Sequence, residues 1–215
     1  MTTTKLSNKN LLLILIALLS ISLGLWLSQQ TGHQKQPPTG LAATFLIKGK
    51  PLTPFHLLDQ DRKTFNLARL KGKWSFMFFG YTNCPDVCPI SMKVMQGVWH
   101  KLPPALLKKS QMVFVSVDPG RDTPEILKSY VQYFHPDFLG VTGDPDQIDI
   151  LTRQIGILYG FEDPEPGSKN YTVNHSAQII LIDPEGDMRA VFSPPHDAEK
   201  IAASFQKIIA FVEQT

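Results

Sequence analysis

The chain has 215 residues, of which 43% are hydrophobic and 19% are charged, and its formal net charge is +2. This composition is typical of a globular protein that is long enough to bury a core. Lysine and arginine are scattered along the sequence without forming a basic stripe, which argues against nucleic-acid binding.

An uncharged apolar segment near the N-terminus, Leu11 to Leu27, predicts a transmembrane signal anchor. The segment is at the short end of a membrane span but long for the apolar region of a cleaved signal peptide. Ser28 to Thr31 lacks the small-x-small pattern of a cleavage site, which favours an uncleaved anchor. Lys5 and Lys9 precede the segment, so we expect residues 1–10 on the cytoplasmic side.

No arginine precedes Arg62, which argues against a mitochondrial transit peptide, so we expect a single-pass protein of the bacterial inner membrane with its C-terminal domain in the periplasm. That compartment permits disulfides. The polar segment 28–40 carries two prolines and predicts a flexible tether. Residues 41–215 have a length that suits one domain.

After the tether, apolar runs alternate with turn residues and helical patterns. We expect a small hairpin, a buried strand leading to a helix, a second buried strand, two helices separated by a short strand, a terminal hairpin and a C-terminal helix. The predicted segments are Phe55–Leu58, Lys63–Asn66, Trp74–Gly80, a helix after Cys88 that ends before Pro103, Met112–Val117, Thr123–Phe134, Leu139–Thr142, Asp144–Ile157, Ala177–Ile182, Met188–Phe192 and Asp197–Val212. This order predicts an α/β, thioredoxin-like fold with a central mixed sheet, flanking helices and an N-terminal hairpin addition.

The segment GYTNCPDVCP, Gly80 to Pro89, contains the only two cysteines of the chain. Cys84 and Cys88 follow a buried strand, and one helical turn would place both sulfurs on the same side. If Cys88 opens a helix, we expect the helix N-terminus to stabilise its thiolate, which is the form that attacks disulfides and binds metals. The pair can form a disulfide, bind one metal ion, or do both in turn. The plainer alternative is two buried cysteines that pack as small hydrophobes. A structural zinc site is disfavoured because no second cysteine pair exists.

His175 is the candidate third functional residue among the six histidines of the chain. It lies in YTVNHSA, Tyr171 to Ala177, immediately before a predicted core strand. In a thioredoxin-like sheet this loop faces the cysteine turn, so we expect His175 close to Cys84 and Cys88. A structural histidine is the alternative.

Three motifs in this order resemble the Sco/SenC proteins: GYTNCPDVCP, SVDPGRDTP at Ser116–Pro124, and VNHSAQIILIDPEG at Val173–Gly186. That family consists of membrane-anchored, thioredoxin-fold copper chaperones for cytochrome c oxidase assembly. The resemblance implies that Cys84, Cys88 and His175 are copper ligands. It also implies a functional role near the site for Asp118, which could instead cap its loop. The chemistry agrees, because thiolates suit Cu(I) and imidazole also accepts Cu(II).

Two functions follow as hypotheses. The first is delivery of copper to the dinuclear copper centre in the copper-bearing subunit of cytochrome c oxidase. The second is a thiol–disulfide oxidoreductase in which Cys84 and Cys88 form a redox pair that reduces the copper-site cysteines of that subunit. Other periplasmic copper carriers and thioredoxin-like reductants are further candidate partners.

Two less favoured alternatives concern residues beside the cysteines. A peroxiredoxin-like peroxidase would use Thr82 near the reactive cysteine, but the sequence shows no evident partner arginine. Met92 and Met95 follow Cys88 at helical spacing, and we expect them to pack in the core rather than relay copper.

Overall fold

A computed structural model of the chain describes residues 8–30, 36–162 and 171–213, which belong to two compact units, Met1–Pro37 and Pro38–Thr215. The first unit contains helix α1, Asn8–Gln30. Among the described residues, no helix is both long enough and apolar enough to cross a membrane. Parts of the predicted N-terminal segment and tether, residues 1–7 and 31–35, lie outside the described residues.

The second unit is built from strands that alternate with helices over most of its length. The strands are β1 Thr44–Pro51, β2 His56–Asp59, β3 Thr64–Asn66, β4 Trp74–Gly80, β5 Ser110–Ser116, β6 Leu139–Thr142, β7 Tyr159–Glu162, β8 Thr172–His175, β9 Ile179–Ile182 and β10 Asp187–Phe192. The helices are α2 Leu67–Leu70, α3 Val87–Lys101, α4 Pro104–Lys108, α5 Pro124–Phe134, α6 Pro145–Ile155 and α7 Ala198–Val212.

In the described part of the chain, most strands form a mixed sheet in the order β1-β10-β9-β4-β5-β6-β2-β3. Strands β4, β5 and β6 run parallel, and their neighbours pair antiparallel. The α/β architecture with a mixed central sheet is therefore confirmed, and so is the hairpin β2–β3, which joins the edge of the sheet at β6. Gly80 pairs with Ser116, so the carboxyl ends of β4 and β5 meet at one edge of the sheet.

The core lies on both faces of the sheet, which explains why β4 is a continuous apolar run rather than an alternating one. Phe76 and Phe78 point into a cluster with α3, α5 and α7. Met77 and Phe79 point the other way, into a cluster with α6 and the β2–β3 hairpin. Met92 and Met95 are fully buried in the first cluster, which confirms them as core packing.

Local capping signals place several helices where the sequence predicts them. Thr123 caps α5, its side chain accepting a hydrogen bond from the Ile126 N–H, and Pro124 occupies the first helical position. Helix α6 ends at Ile155, earlier than predicted, because Gly156 adopts a left-handed conformation with φ of 78°.

Three further features differ from the prediction. Strand β1 pairs with β10 at the far edge of the sheet, and short helix α4 follows α3. The segment before β9, predicted as a loop, forms β8, which pairs with β7 in a second, two-stranded sheet. The result is that His175 is held at the end of a strand rather than in an irregular loop.

Candidate metal centre

The cysteine turn lies at the carboxyl end of β4, where the chain enters α3. Helix α3 begins at Val87, so Cys88 is in its first turn and Cys84 precedes it. The Cys88 N–H donates a hydrogen bond to Cys84 Sγ at 3.5 Å. The first four N–H groups of a helix have no partner within the helix. The Cys84 sulfur therefore accepts from one of them, so the prediction that Cys88 would be the thiolate stabilised by the helix start is wrong.

His175 ends β8 and reaches the cysteines from the opposite side. Its Nε2 lies 3.2 Å from Cys88 Sγ, and its Nδ1 lies 3.2 Å from the Ser176 carbonyl oxygen. A ring proton on Nδ1 would be accepted by this carbonyl oxygen, and Nε2 is the ring nitrogen that faces the sulfurs, where it could bind a metal ion. The ring centroids of Phe78 and Tyr81 each lie 6.0 Å from the imidazole centroid, and both pairs pack edge-to-face, which restricts the plane of the imidazole.

The structure thus brings together the three side chains predicted as ligands. The two sulfurs and one imidazole nitrogen lie within 4.8 Å of one another. Cys88 is buried, whereas Cys84 and His175 are half-buried. Across residues 8–30, 36–162 and 171–213, this is the one group of three or more His, Cys, Asp or Glu side chains that could hold a metal ion. The group is therefore anchored in the core by one sulfur and open to solvent at the other two ligands.

The two thiols have very different proton affinities. The hydrogen bond from Cys88 lowers the pKa of Cys84 to about 4, against burial, which raises it. The pKa of Cys88 is raised, because its proton is held by Cys84 and because it is buried. The neutral-pH apo site is therefore a thiolate at Cys84 beside a protonated Cys88.

Gly80 leaves the space that the Cys88 sulfur occupies. A Cβ at this position would lie closer than 3.0 Å to Cys88 Sγ and 3.2 Å from the Phe114 ring. The backbone cannot easily retreat, since Val117 N–H donates to the Gly80 carbonyl at 2.9 Å and Gly80 pairs with Ser116. A residue without a side chain is therefore required where β4 passes under the sulfur.

The donor set fits a soft metal ion. Thiolate sulfur selects Cu(I) and zinc, and imidazole nitrogen accepts copper in either oxidation state. A structural zinc site is closed by four protein ligands, but here the described ligand atoms number three. Two sulfurs and one nitrogen with an open side suit an ion that enters and leaves, and copper is the ion that this set accommodates best.

Comparison with known proteins places the chain in a family. The sequence model of the SCO1/SenC family matches residues 48–210, well over half of the chain. The chain belongs to the SCO1/SenC family. The matched range contains the cysteine turn, the β5–α5 loop and the His175 strand, so the family assignment and the ligand cluster concern the same part of the molecule.

Individual SCO1/SenC relatives match most of the chain. A SCO2-like protein of Rickettsia prowazekii is 32% identical over 204 residues, which cover 93% of this chain and 97% of the relative. The structure of ScoI from Bradyrhizobium japonicum with copper bound is 35% identical, with a TM-score of 0.66 over 74% of this chain and 99% of that one. Yeast Sco1 with copper bound is 30% identical, with a TM-score of 0.67 over 77% of this chain and 90% of that one.

Asp118, expected near the site, is 1% exposed and lies in the loop between β5 and α5. Its carboxylate accepts hydrogen bonds from Arg121 and from the Tyr171 hydroxyl, and it is not among the three candidate ligands. Sequence reasoning missed Arg121, Asp122 and Tyr171. The SVDPGRDTP motif contains two of them, and its two carboxylates beside an arginine are the pattern that could have drawn attention to the loop.

Proposed function

We propose that this chain is a copper-binding assembly protein for cytochrome c oxidase. It takes up one copper ion through Cys84, Cys88 and His175 and passes it to the dinuclear copper centre of the copper-bearing subunit. The observation that carries the proposal is the 3.2 Å contact between Cys88 Sγ and His175 Nε2. That contact brings together ligands far apart in the sequence, in a family whose relatives have been solved with copper bound.

The geometry supports transfer rather than permanent storage. Cys88 is buried and holds the ion in place, whereas Cys84 and His175 are half-buried and can be approached from solvent. An acceptor thiolate or imidazole can therefore replace these two ligands one at a time. Each exchange keeps the ion coordinated by soft ligands, so free copper is not released.

The transfer is tested by loading the reduced full-length chain with copper and mixing it with the apo copper-bearing subunit of the oxidase. We expect the absorption spectrum of the dinuclear centre to appear. The copper lost by this chain should match the copper gained by the subunit. His175→Ala should donate nothing, and His56→Ala, which alters an exposed histidine in β2, should donate as the wild type does. If the subunit loads equally from His175→Ala, then this cluster is not the copper donor.

A second function, thiol–disulfide exchange, is favoured by the contrast between the two thiols. Cys84 is a half-exposed thiolate, with its pKa lowered to about 4 by the hydrogen bond from Cys88. It can attack a disulfide of the oxidase subunit, forming a mixed disulfide and releasing one subunit thiolate. Cys88 then attacks Cys84, releasing the second subunit thiol and leaving Cys84 and Cys88 joined, with two electrons passed to the subunit.

The two functions separate at His175. Copper needs the imidazole as a ligand, whereas exchange needs only the two sulfurs. His175→Ala should therefore lose tight copper binding while it still reduces a disulfide substrate. An equal loss of both activities would contradict this division. In the cell, other periplasmic copper carriers would supply the copper ion for the first function, and thioredoxin-like reductants would supply the electrons for the second.

We propose that the chain is anchored in the bacterial inner membrane with the domain 41–215 in the periplasm. The uncharged segment Leu11–Leu27 and the preceding lysines support this proposal, with 28–40 as the tether. Deleting residues 11–27 should move the protein from the membrane fraction to the soluble fraction. Protein that still pellets with membranes after the deletion would exclude the anchor.

A further inference from the structure

The loop between β5 and α5, residues 117–123, contacts both halves of the metal centre. The cysteine turn follows β4 and the histidine strand is β8, so the ligands come from two separate elements. Because a metal ion tolerates ligand displacements of only about 0.2 Å, something must hold the two halves in register. The contacts of this loop show what does so.

On the cysteine side, the contact is made by Asp122, which is fully buried. One carboxylate oxygen accepts from the Thr82 N–H at 2.9 Å and from the Ser116 hydroxyl at 2.5 Å. The other accepts from the Thr82 hydroxyl at 2.5 Å. Thr82 lies in the cysteine turn and Ser116 ends β5, so a single carboxylate joins the turn to the end of the sheet.

On the histidine side, the contact is made by Arg121, which is stacked on a tyrosine and hydrogen-bonded at its edge. Its guanidinium carbon lies 3.6 Å from the Tyr171 ring centroid, and its Nη1 donates to the Tyr171 carbonyl at 2.9 Å. The Tyr171 hydroxyl donates to Asp118 at 2.6 Å, and Asp118 also accepts from Arg121. Tyr171 directly precedes β8, so these contacts fix the start of the strand that ends at His175.

We propose that the 117–123 loop is the positioning element of the metal centre, with Asp122 fixing the cysteine turn and Arg121 fixing the histidine strand through Tyr171. This inference rests on the proposed copper-binding function and extends it. Neither residue touches the ion. Their effect is to preform the site, so that copper binding does not have to order two separate segments.

The cysteine half is tested by comparing two substitutions of Asp122 in the reduced full-length chain. Asp122→Ala removes the acceptor of three hydrogen bonds. We expect a loss of copper affinity of about 10- to 100-fold, the usual effect of removing an outer support of a metal ligand. Asp122→Asn keeps the shape and can still bond Thr82 and Ser116, since a hydroxyl also accepts. It should therefore recover most of the affinity.

Asp183 provides the matched control, because it is a buried carboxylate at the opposite end of the sheet. It accepts from the backbone N–H groups of Glu185 at 3.0 Å and Asp187 at 2.9 Å. Asp183→Ala should lower resistance to urea without changing copper affinity. If Asp122→Ala binds copper as the wild type does, or if Asp183→Ala weakens binding equally, the positioning role of Asp122 is refuted.

The histidine half is tested with Tyr171→Phe, which keeps the stacked ring and removes the hydroxyl, and with Arg121→Lys, which removes the planar donor. Both should weaken copper binding about tenfold or more. Tyr133→Phe, in which the altered tyrosine is 84% exposed, is the control and should bind as the wild type does. If both Tyr171→Phe and Arg121→Lys bind copper with wild-type affinity, the claim that Arg121 fixes the histidine strand through Tyr171 is refuted.

A second readout separates the two halves and does not depend on copper. The equilibrium constant of the Cys84–Cys88 pair with glutathione should change severalfold in Asp122→Ala, because the turn carries both sulfurs. It should stay at the wild-type value in Tyr171→Phe. A change of equal size in both variants would contradict the division of the loop. A wild-type chain that binds no copper would refute the proposed function, and this measurement would still decide the role of Asp122.

Discussion

Substitution of Gly80 by alanine is the sharpest perturbation of the metal centre that changes none of the ligand residues. The new Cβ would lie closer than 3.0 Å to Cys88 Sγ, whereas non-bonded heavy atoms in contact sit about 4.0 Å apart. The strand is held by its pairing with β5, so the sulfur has to move by about 1 Å. That displacement is about five times the tolerance of a metal–ligand distance.

Two measurable losses follow from this displacement. Overpacking of a well-filled core costs about 1–3 kcal/mol, which urea unfolding of the apo chain should show as a lower midpoint. Copper coordination should weaken as well, because the Cys88 sulfur is displaced, and we expect Cu(I) affinity to fall about tenfold, which corresponds to about 1.4 kcal/mol. Anaerobic competition against a chromophoric Cu(I) chelator measures it.

Gly160→Ala is the matched control, because Gly160 lies in β7 opposite the histidine strand and a Cβ there meets nothing within 4 Å. It should change neither stability nor affinity appreciably. Wild-type copper affinity in Gly80→Ala would show that the Cys88 sulfur does not occupy the space above Gly80, and the account of the site would fail.

Three further predictions concern the sulfurs of the apo site and the methionines behind it. Alkylation of Cys84 by iodoacetamide should stay fast down to about pH 5 and slow only as the pH falls through the Cys84 pKa of about 4. An ordinary thiol already slows below about pH 8.5. A midpoint near pH 8.5 would therefore show that Cys84 is not a thiolate at neutral pH. Joining Cys84 to Cys88 by oxidation should abolish copper binding, because neither sulfur of a disulfide is a thiolate. A disulfide form with full copper affinity would contradict the ligand assignment. Met92→Leu keeps the volume of a fully buried side chain and should lower the free energy of unfolding by less than about 1.5 kcal/mol without changing the rate of copper transfer. Slower transfer at unchanged stability would instead indicate that the Met92 thioether relays copper.

Much of the fold was predictable because its signals are local. Patterns of only a few residues predict the apolar strand β4, the start of α5 at Thr123-Pro124 and the turn before β10. The two cysteines were equally visible, since they follow β4 directly. His175 was predictable only by combining its position before β9 with the topology of the sheet.

The remaining features depend on contacts between distant segments. Strand β1 has no strong pattern of its own and is defined by its pairing with β10. The strands β7 and β8 become visible only as a pair, because each is short and partly exposed. The SVDPGRDTP motif marks Asp122 locally, but its hydrogen-bond partner could not be predicted, since Thr82 lies 40 residues away in the sequence.

Anaerobic titration of the reduced full-length chain with Cu(II), followed by the sulfur-to-copper charge-transfer absorption, tests the central claim most directly. We predict one tight equivalent for the wild type, loss of the band in Cys84→Ser and Cys88→Ser, and loss of tight binding in His175→Ala. The His56→Ala control should titrate as the wild type does. A chain that binds no copper while both thiols count as free, or one that binds equally without His175, would contradict a copper centre built from these three side chains.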